Sequence, residues 1–110
     1  HAVIGRASAR GMTPVPGFAT ATEALAAVAA GADFLKLFPA STYGPAHLKA
    51  LSAVLPRDVA VIAVGGIGAA DMAEWRTAGA RAFGVGSELY RPGQSAEETL
   101  LKAKALVAAL

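Results

Sequence analysis

Apolar runs of four to seven residues alternate with longer amphipathic stretches along the chain. The short runs predict strands, at residues 12–16, 32–38, 59–64 and 82–85. The longer stretches, bounded by capping residues, prolines and glycines, predict helices, at residues 2–10, 20–30, 44–55, 69–78 and 95–110. Strands that alternate with helices at this spacing indicate parallel βαβ units in an α/β fold.

Two of the predicted helices begin with the pattern of a capping box, a hydroxyl residue followed three positions later by glutamate. The pairs are Thr20 with Glu23 and Ser95 with Glu98. In each pair we expect the hydroxyl to accept the glutamate N–H and the carboxylate to accept the N–H of the capping residue. A third helix is expected to begin at Gly44-Pro45, because proline is favoured at the first helical position.

The length of the chain limits the possible architectures. Four strands fit either a small open sheet or part of a (β/α)8 TIM barrel, which typically needs about 250 residues. At 110 residues the chain would supply about four β/α units, roughly half of a barrel. Residues 1–110 contain no linker or repeat that divides them, so we expect one unit. The start at His1 rather than methionine suggests a piece of a longer protein.

Composition excludes several classes of function. The chain is 55% hydrophobic and 16% charged, with a net charge of +2 and no basic cluster, so nucleic acid is not expected as a partner. There are no cysteines, and His1 and His47 form no ligand cluster, so no metal site is expected. With no membrane-length apolar run and no signal peptide, no membrane partner and a cytoplasmic location are expected.

Lys36 is the one charged residue in the otherwise apolar run from Phe34 to Phe38. Strand alternation puts its side chain on the same face as the two phenylalanines. Burial there would disfavour the ammonium and favour the neutral amine that forms Schiff bases. The alternative is a lysine that extends to water from a strand end. Pro39 ends the strand, so Lys36 lies near the end where parallel α/β folds build their sites.

Glycine-rich turns follow the last two predicted strands, at Val64-Gly-Gly-Ile-Gly68 and Gly84-Val-Gly-Ser87. Glycine lets backbone N–H groups approach an anion closely, and a serine hydroxyl adds a donor. In barrels the loops after the seventh and eighth strands often bind phosphate. A dinucleotide site is not indicated, because the third glycine of that motif is absent.

The whole chain resembles the C-terminal half of the 2-keto-3-deoxy-6-phosphogluconate/galactonate aldolases, a family of class I aldolases with a (β/α)8 barrel. The segments that carry the resemblance are Gly11-Met-Thr-Pro-Val-Pro-Gly17, Ala19-Thr-Ala-Thr-Glu23, Phe34-Leu-Lys-Leu-Phe-Pro39, Ala63-Val-Gly-Gly-Ile67 and Gly86-Ser-Glu-Leu-Tyr90. They occur in the family's order and spacing over essentially all 110 residues.

The resemblance implies a role for each matching residue. Lys36 would be the catalytic residue, forming a Schiff base with pyruvate. The glycine turns would bind the substrate phosphate through Gly65, Gly66, Gly86 and Ser87. No metal or organic cofactor is implied, because the iminium itself accepts the electrons.

Three further residues are expected at the substrate. Phe38 would pack on the pyruvyl group, although core filling is an equally good explanation. Pro16 would line the pocket, although turn geometry explains it better. Val64 would face the hydroxyl that distinguishes the two sugar acids, since the pattern Ala63-Val64 before the glycines is similar to the galactonate-type branch. The gluconate-type branch remains the alternative.

The resemblance also implies that the general base, a glutamate, lies in the N-terminal half of the barrel and therefore outside this chain. Within the chain, Glu23 is better explained as a helix cap and Glu88 as a solvated loop residue. The expected partners are a phosphorylated keto acid, the N-terminal half of the barrel and, once complete, a homotrimer. The alternatives are a phosphate-binding isomerase or synthase without covalent catalysis, and a non-catalytic half-barrel.

Overall fold

Four parallel strands hydrogen-bond in chain order, β1-β2-β3-β4, and form a single sheet. The computed structural model describes residues 2–110; His1 lies outside the described residues. The strands are β1 Gly17–Phe18, β2 Phe34–Leu37, β3 Ala60–Val64 and β4 Ala80–Gly84. The helices are α1 Ala2–Ser8, α2 Ala21–Ala29, α3 Ala40–Leu51, α4 Met72–Ala78 and α5 Ala96–Ala108. The predicted alternation of helices and strands is confirmed. A strand order that never reverses is typical of a barrel wall, whereas doubly wound sheets contain a switch point.

Helices pack on one face of the sheet and leave the other face open. Leu35 and Leu37 of β2 are fully buried on the helix side, where the core also contains Leu48 of α3 and Trp75 of α4. On the opposite face, residues such as Lys36 are only half-buried. This is the face that would line the interior of a closed barrel.

The first capping box is confirmed and the second is only half formed. Thr20 Oγ1 accepts the N–H of Glu23 at 3.3 Å, and Glu23 Oε2 accepts the N–H of Thr20 at 2.9 Å. Ser95 Oγ likewise accepts the N–H of Glu98 at 3.1 Å. The carboxylate of Glu98, however, pairs with Lys102 Nζ at 3.0 Å instead of returning to the backbone. A lysine one helical turn further on competes for that carboxylate.

The first strand lies later in the sequence than predicted. Residues 12–16 belong to no strand, and only Gly17 and Phe18 pair with β2. Pro14 and Pro16 have no N–H to donate to a ladder, which restricts strand pairing there. The carbonyl of Pro16 still accepts the N–H of Lys36 at 2.9 Å.

Other boundaries also differ from the prediction. α3 ends at Leu51 rather than 55, β2 begins at Phe34 rather than 32, and α1 ends at Ser8 rather than 10. α3 begins at Ala40, but it is interrupted at Gly44 (φ 79°, ψ 163°), and Pro45 opens its second segment as predicted. α4 begins at Met72 instead of 69. β4 begins at Ala80, two residues early, beside a shift of the register with β3. Within residues 2–110, no helix has both the length and the apolar character needed to cross a bilayer.

Candidate active site

Lys36 lies on the open face of the sheet, near the C-terminal end of the inner strand β2. The pairing register puts it beside Gly17 of β1 on one side and Ile62 of β3 on the other. Its Nζ atom is 4.7 Å from the centroid of the Phe38 ring, a cation–π distance. The predicted sharing of one face by Lys36 and Phe38 is therefore confirmed.

Lys36 is more exposed than the apolar run around it predicts. Its side chain is half-buried, while Phe34 and Phe38 are 38% and 50% exposed. The reason is that these residues occupy the open face, which strands outside this chain would cover in a closed barrel. The apolar residues that made the run look fully buried are Leu35 and Leu37, which face the helices.

The two glycine turns meet in a pocket of about 280 Å³ at the C-terminal ends of β3 and β4. The pocket is lined by Val64, Gly65, Gly66, Ile67, Gly84, Val85, Gly86, Ser87 and Glu88. The four residues predicted to bind phosphate thus lie together in one pocket, as does Val64. Their role in binding phosphate stays a prediction.

Gly65 and Gly66 are glycines for both backbone and steric reasons. Their φ angles are 103° and 68°, in the region that side chains disfavour. A Cβ on Gly65 would lie 3.2 Å from the Phe38 ring, and one on Gly66 would lie 2.8 Å from Ser41 Oγ. The Phe38 ring contacts Lys36 on one side and lies next to Gly65 on the other, so it lies between the amine and the pocket.

Sequence reasoning missed Ser41, which lies in the first turn of α3. Its N–H donates to the carbonyl of Gly65 at 3.0 Å, and its side chain packs against Gly66. The signal available in the sequence was a serine directly after the strand that carries the lysine. Ser41 fixes the first glycine turn from the side of α3.

Val64 is the last residue of β3 and lines the pocket on the side of Lys36. It is two residues beyond Ile62, the neighbour of Lys36 in the register, so it shares that face and lies about 7 Å further along the strand. Its Cγ2 atom would be 2.7 Å from a Cβ on Gly84, so Val64 covers that glycine. Pro16 is half-buried and contacts Lys36 through the backbone hydrogen bond described above.

Two side chains hold the loop that follows β1. The carboxylate of Glu23 accepts the N–H groups of Ala19 and Thr20, and these bonds lower its pKa. His47 Nε2 lies 2.6 Å from the carbonyl of Ala19, and its ring stacks on that of Tyr43. His47 is half-buried. As predicted, the Glu23 carboxylate caps the N-terminus of α2.

A family model described as "Aldolase: KDPG and KHG aldolase" matches residues 2–105. A 2-dehydro-3-deoxy-6-phosphogalactonate aldolase of Escherichia coli (strain K12) is 55% identical over 97% of this chain and 52% of its own length. A probable 2-dehydro-3-deoxy-6-phosphogalactonate aldolase of Rhizobium meliloti (strain 1021) is 50% identical over 98% of this chain and 51% of its own length. The chain spans about half the length of these curated relatives.

A solved structure described as "Native KDPGal structure" superposes with a TM-score of 0.93 and 55% identity, over 97% of this chain and 52% of that one. This match confirms the predicted class, an α/β fold of the (β/α)8 barrel type of which the chain covers about half.

Proposed function

This chain belongs to the KDPG and KHG aldolase family, and we propose that it supplies the Schiff-base half of a class I aldolase. The proposed reaction cleaves 2-dehydro-3-deoxy-6-phospho-D-galactonate to pyruvate and D-glyceraldehyde 3-phosphate. The observation that carries the proposal is the arrangement of Lys36. Its amine lies against Phe38, and Phe38 in turn packs on the glycine pocket.

The reaction begins when the neutral Nζ of Lys36 attacks the C2 carbonyl of the keto acid. The carbinolamine loses water and becomes an iminium, which withdraws electrons from C3. A general base removes the C4 hydroxyl proton, the C3–C4 bond breaks, and its electron pair forms an enamine of pyruvate. The aldehyde leaves, C3 is protonated, and water hydrolyses the iminium to release pyruvate and free Lys36.

Each group around Lys36 has a function in this scheme. The Phe38 ring supplies an apolar surface for the three-carbon pyruvyl group, and the glycine pocket binds the phosphate at the far end of the substrate. The general base comes from the other half of the barrel, and complete barrels assemble as trimers.

The galactonate epimer is favoured over the gluconate epimer by two observations. Both relatives described above carry the phosphogalactonate name, at 55% and 50% identity. Val64, which lines the pocket, carries only methyl groups and offers a substrate no hydroxyl. The gluconate epimer is the second candidate substrate, because the family description also names KDPG.

A chimera tests the proposal. This chain replaces the matched half of the Escherichia coli relative, and we call the product the completed barrel. Incubation with pyruvate and borohydride should reduce the Schiff base to a stable adduct on Lys36, located by mass spectrometry. Lys36→Arg should abolish the adduct, since a guanidinium stays protonated. Lys49→Arg is the matched control, an exposed lysine on α3.

The outcomes separate the candidate functions. An adduct on Lys49 instead of Lys36 would refute the assignment of the nucleophile. A completed barrel that binds phosphate esters but forms no adduct would indicate an isomerase or synthase without covalent catalysis. A completed barrel that does neither would indicate a non-catalytic module.

A further inference from the structure

Arg91 contacts two of the residues that line the glycine pocket, Ser87 and Glu88. Its Nε donates to the carbonyl of Ser87 at 3.2 Å. Its Nη2 lies 3.9 Å from Glu88 Oε1, with the two side chains 66% and 43% exposed. The guanidinium is therefore anchored at one nitrogen and loosely paired at another.

The charge of the pocket does not suit a phosphate. The residues that line it, all in the described part of the chain, include the carboxylate of Glu88 but no lysine or arginine. A phosphate ester carries close to two negative charges at neutral pH. Backbone N–H groups of the glycine turns can bind such a dianion, yet they leave the repulsion from Glu88 unopposed.

We propose that Arg91 is the cation that binds the substrate phosphate and that Glu88 is its partner in the empty enzyme. When the phosphate enters, Nη2 of Arg91 leaves Glu88 and bonds to a phosphate oxygen, while Nε stays on Ser87. This inference rests on the proposed function, because it takes the pocket to be the phosphate site. It assigns a residue for phosphate recognition to the loop after β4.

The energetics favour such an exchange of partners. An exposed ion pair at this distance contributes little to stability, so Arg91 is readily released from Glu88. Its planar fork of donors matches a phosphate and can form two parallel bonds to it. The anchor at Ser87 limits the movement to the outer end of the guanidinium. Glu88 thereby weakens phosphate binding twice, by competing for Arg91 and by repelling the dianion.

Opposite effects of two neutral substitutions in the completed barrel test the proposal. Arg91→Gln should raise KM for the phosphorylated keto acid roughly tenfold, with the loss falling on KM rather than kcat. Glu88→Gln should lower that KM about two- to threefold. For the same keto acid without phosphate, both effects should be much smaller. Arg76→Gln, which removes an exposed arginine from α4, is the matched control.

Inorganic phosphate provides a second measurement as a competitive inhibitor. Its inhibition constant should rise in Arg91→Gln and fall in Glu88→Gln, with Arg91→Lys between the wild type and Arg91→Gln. Added salt should weaken phosphate inhibition of the wild type more than that of Arg91→Gln.

Three results would overturn the proposal. Equal KM values for Arg91→Gln and the wild type would show that Arg91 does not contact the phosphate. A higher KM in Glu88→Gln would show that Glu88 positions Arg91 rather than competing for it. An equal rise in KM for both substrates would assign Arg91 a structural role. Pyruvate carries no phosphate, so borohydride trapping on Lys36 tests the aldolase proposal independently of all three.

Discussion

Gly65 is constrained both by its positive φ angle and by its contact with Phe38, and substitutions at two glycines can distinguish these effects. Its backbone lies at φ 103°, and a Cβ there would lie 3.2 Å from the Phe38 ring, so that the ring would have to move slightly to accept a methyl group. Gly31, at the end of α2, has a similar φ of 95°, but no atom lies within 4 Å of the position that a Cβ would take there. The pair therefore distinguishes backbone strain from the contact with Phe38.

We expect Gly65→Ala to destabilise the completed barrel more than Gly31→Ala. Each substitution incurs the strain of a side chain at positive φ, about 1–3 kcal/mol. Gly65→Ala also displaces Phe38 from the surface near Lys36, so it should lower the rate of pyruvate trapping as well. Thermal melting and trapping rates provide the measurements. Equal losses of stability together with unchanged trapping would contradict the packing role of Gly65.

Val64 is the residue whose chemistry bears most directly on the choice of epimer. Val64→Thr exchanges a methyl group for a hydroxyl at almost constant volume, and a new hydrogen bond contributes about 0.5–1.5 kcal/mol. Relative kcat/KM should therefore shift toward the gluconate epimer by a few-fold to roughly tenfold. Val59→Thr makes the same change just before β3, away from the pocket, and serves as the control. An unchanged epimer ratio would remove Val64 from this role.

The sequence was enough to predict which residues share the face of Lys36, because side-chain alternation depends only on the strand period. The exposure of that face was not predictable, because it depends on what packs against the sheet and not on the strand period. Ser41 was missed for a related reason, since its contact with Gly66 joins the first turn of α3 to a turn more than twenty residues later in the chain. Local patterns do not report such contacts.

The N-terminus of α2 is capped more completely than that of α5, because both capping-box hydrogen bonds are present in α2. Thr20→Ala removes an acceptor from the first turn of α2 and should lower the free energy of unfolding by about 1 kcal/mol. Ser95→Ala should have a smaller effect, because α5 retains the Glu98–Lys102 pair and lacks the reciprocal bond to the cap. Chemical denaturation of the completed barrel compares the two, and a larger loss at Ser95 would contradict the prediction.

The cap of α2 also makes stability depend on pH. Hydrogen bonds from the N–H groups of Ala19 and Thr20, with a further bond from the Thr20 hydroxyl, lower the pKa of Glu23 in the folded state. A lowered folded pKa means that the unfolded chain takes up a proton first. The stabilisation is therefore present above the ordinary glutamate value of about 4.3 and is lost as pH falls through the lowered pKa.

Glu23→Gln should flatten this acid dependence. The free energy of unfolding of the wild type should fall more steeply than that of the variant between about pH 5 and pH 3. Glu97→Gln, which removes an exposed carboxylate from the first turn of α5, is the control. Parallel curves for wild type and Glu23→Gln would show that the cap bonds do not discriminate between the charged and neutral carboxyl.

The position of β1 shows where element prediction reaches its limit. Alternation and β-branched residues favour a strand over 12–16, but pairing needs N–H donors that Pro14 and Pro16 lack. The start of α3 is a similar case. Pro45 correctly marks its second segment, whereas the turn from Ala40 to Gly44 has no apolar periodicity to reveal it.

At the scale of the whole molecule, the sheet has two edges and an uncovered face. β1 and β4 each present a row of backbone groups without a neighbouring strand in the described residues. The open face carries Phe34 and Phe38, both more than a third exposed, and α5 exposes Leu101 at 62%. A closed barrel has no strand edges, and it buries the face that is open here.

This geometry predicts how the 110-residue chain behaves by itself. We expect it to self-associate or to fold loosely, because unpaired strand edges and exposed apolar surface favour association with another chain. We also expect no aldolase activity, since the proposed mechanism draws its general base from the other half of the barrel. Co-expression with the other half of the Escherichia coli relative, the part that this chain does not match, should close the barrel and restore cleavage of the keto acid.

Light scattering and a coupled assay for pyruvate test the two parts of this prediction separately. The co-expressed halves should elute as a defined assembly and release pyruvate, whereas Lys36→Arg in the same assembly should remain assembled but inactive. The paired result matters, because it separates closure of the sheet from the chemistry at Lys36. A monomeric 110-residue chain that melts cooperatively and cleaves the keto acid unaided would show that four strands suffice, and that neither the open edges nor the missing base limits this fold.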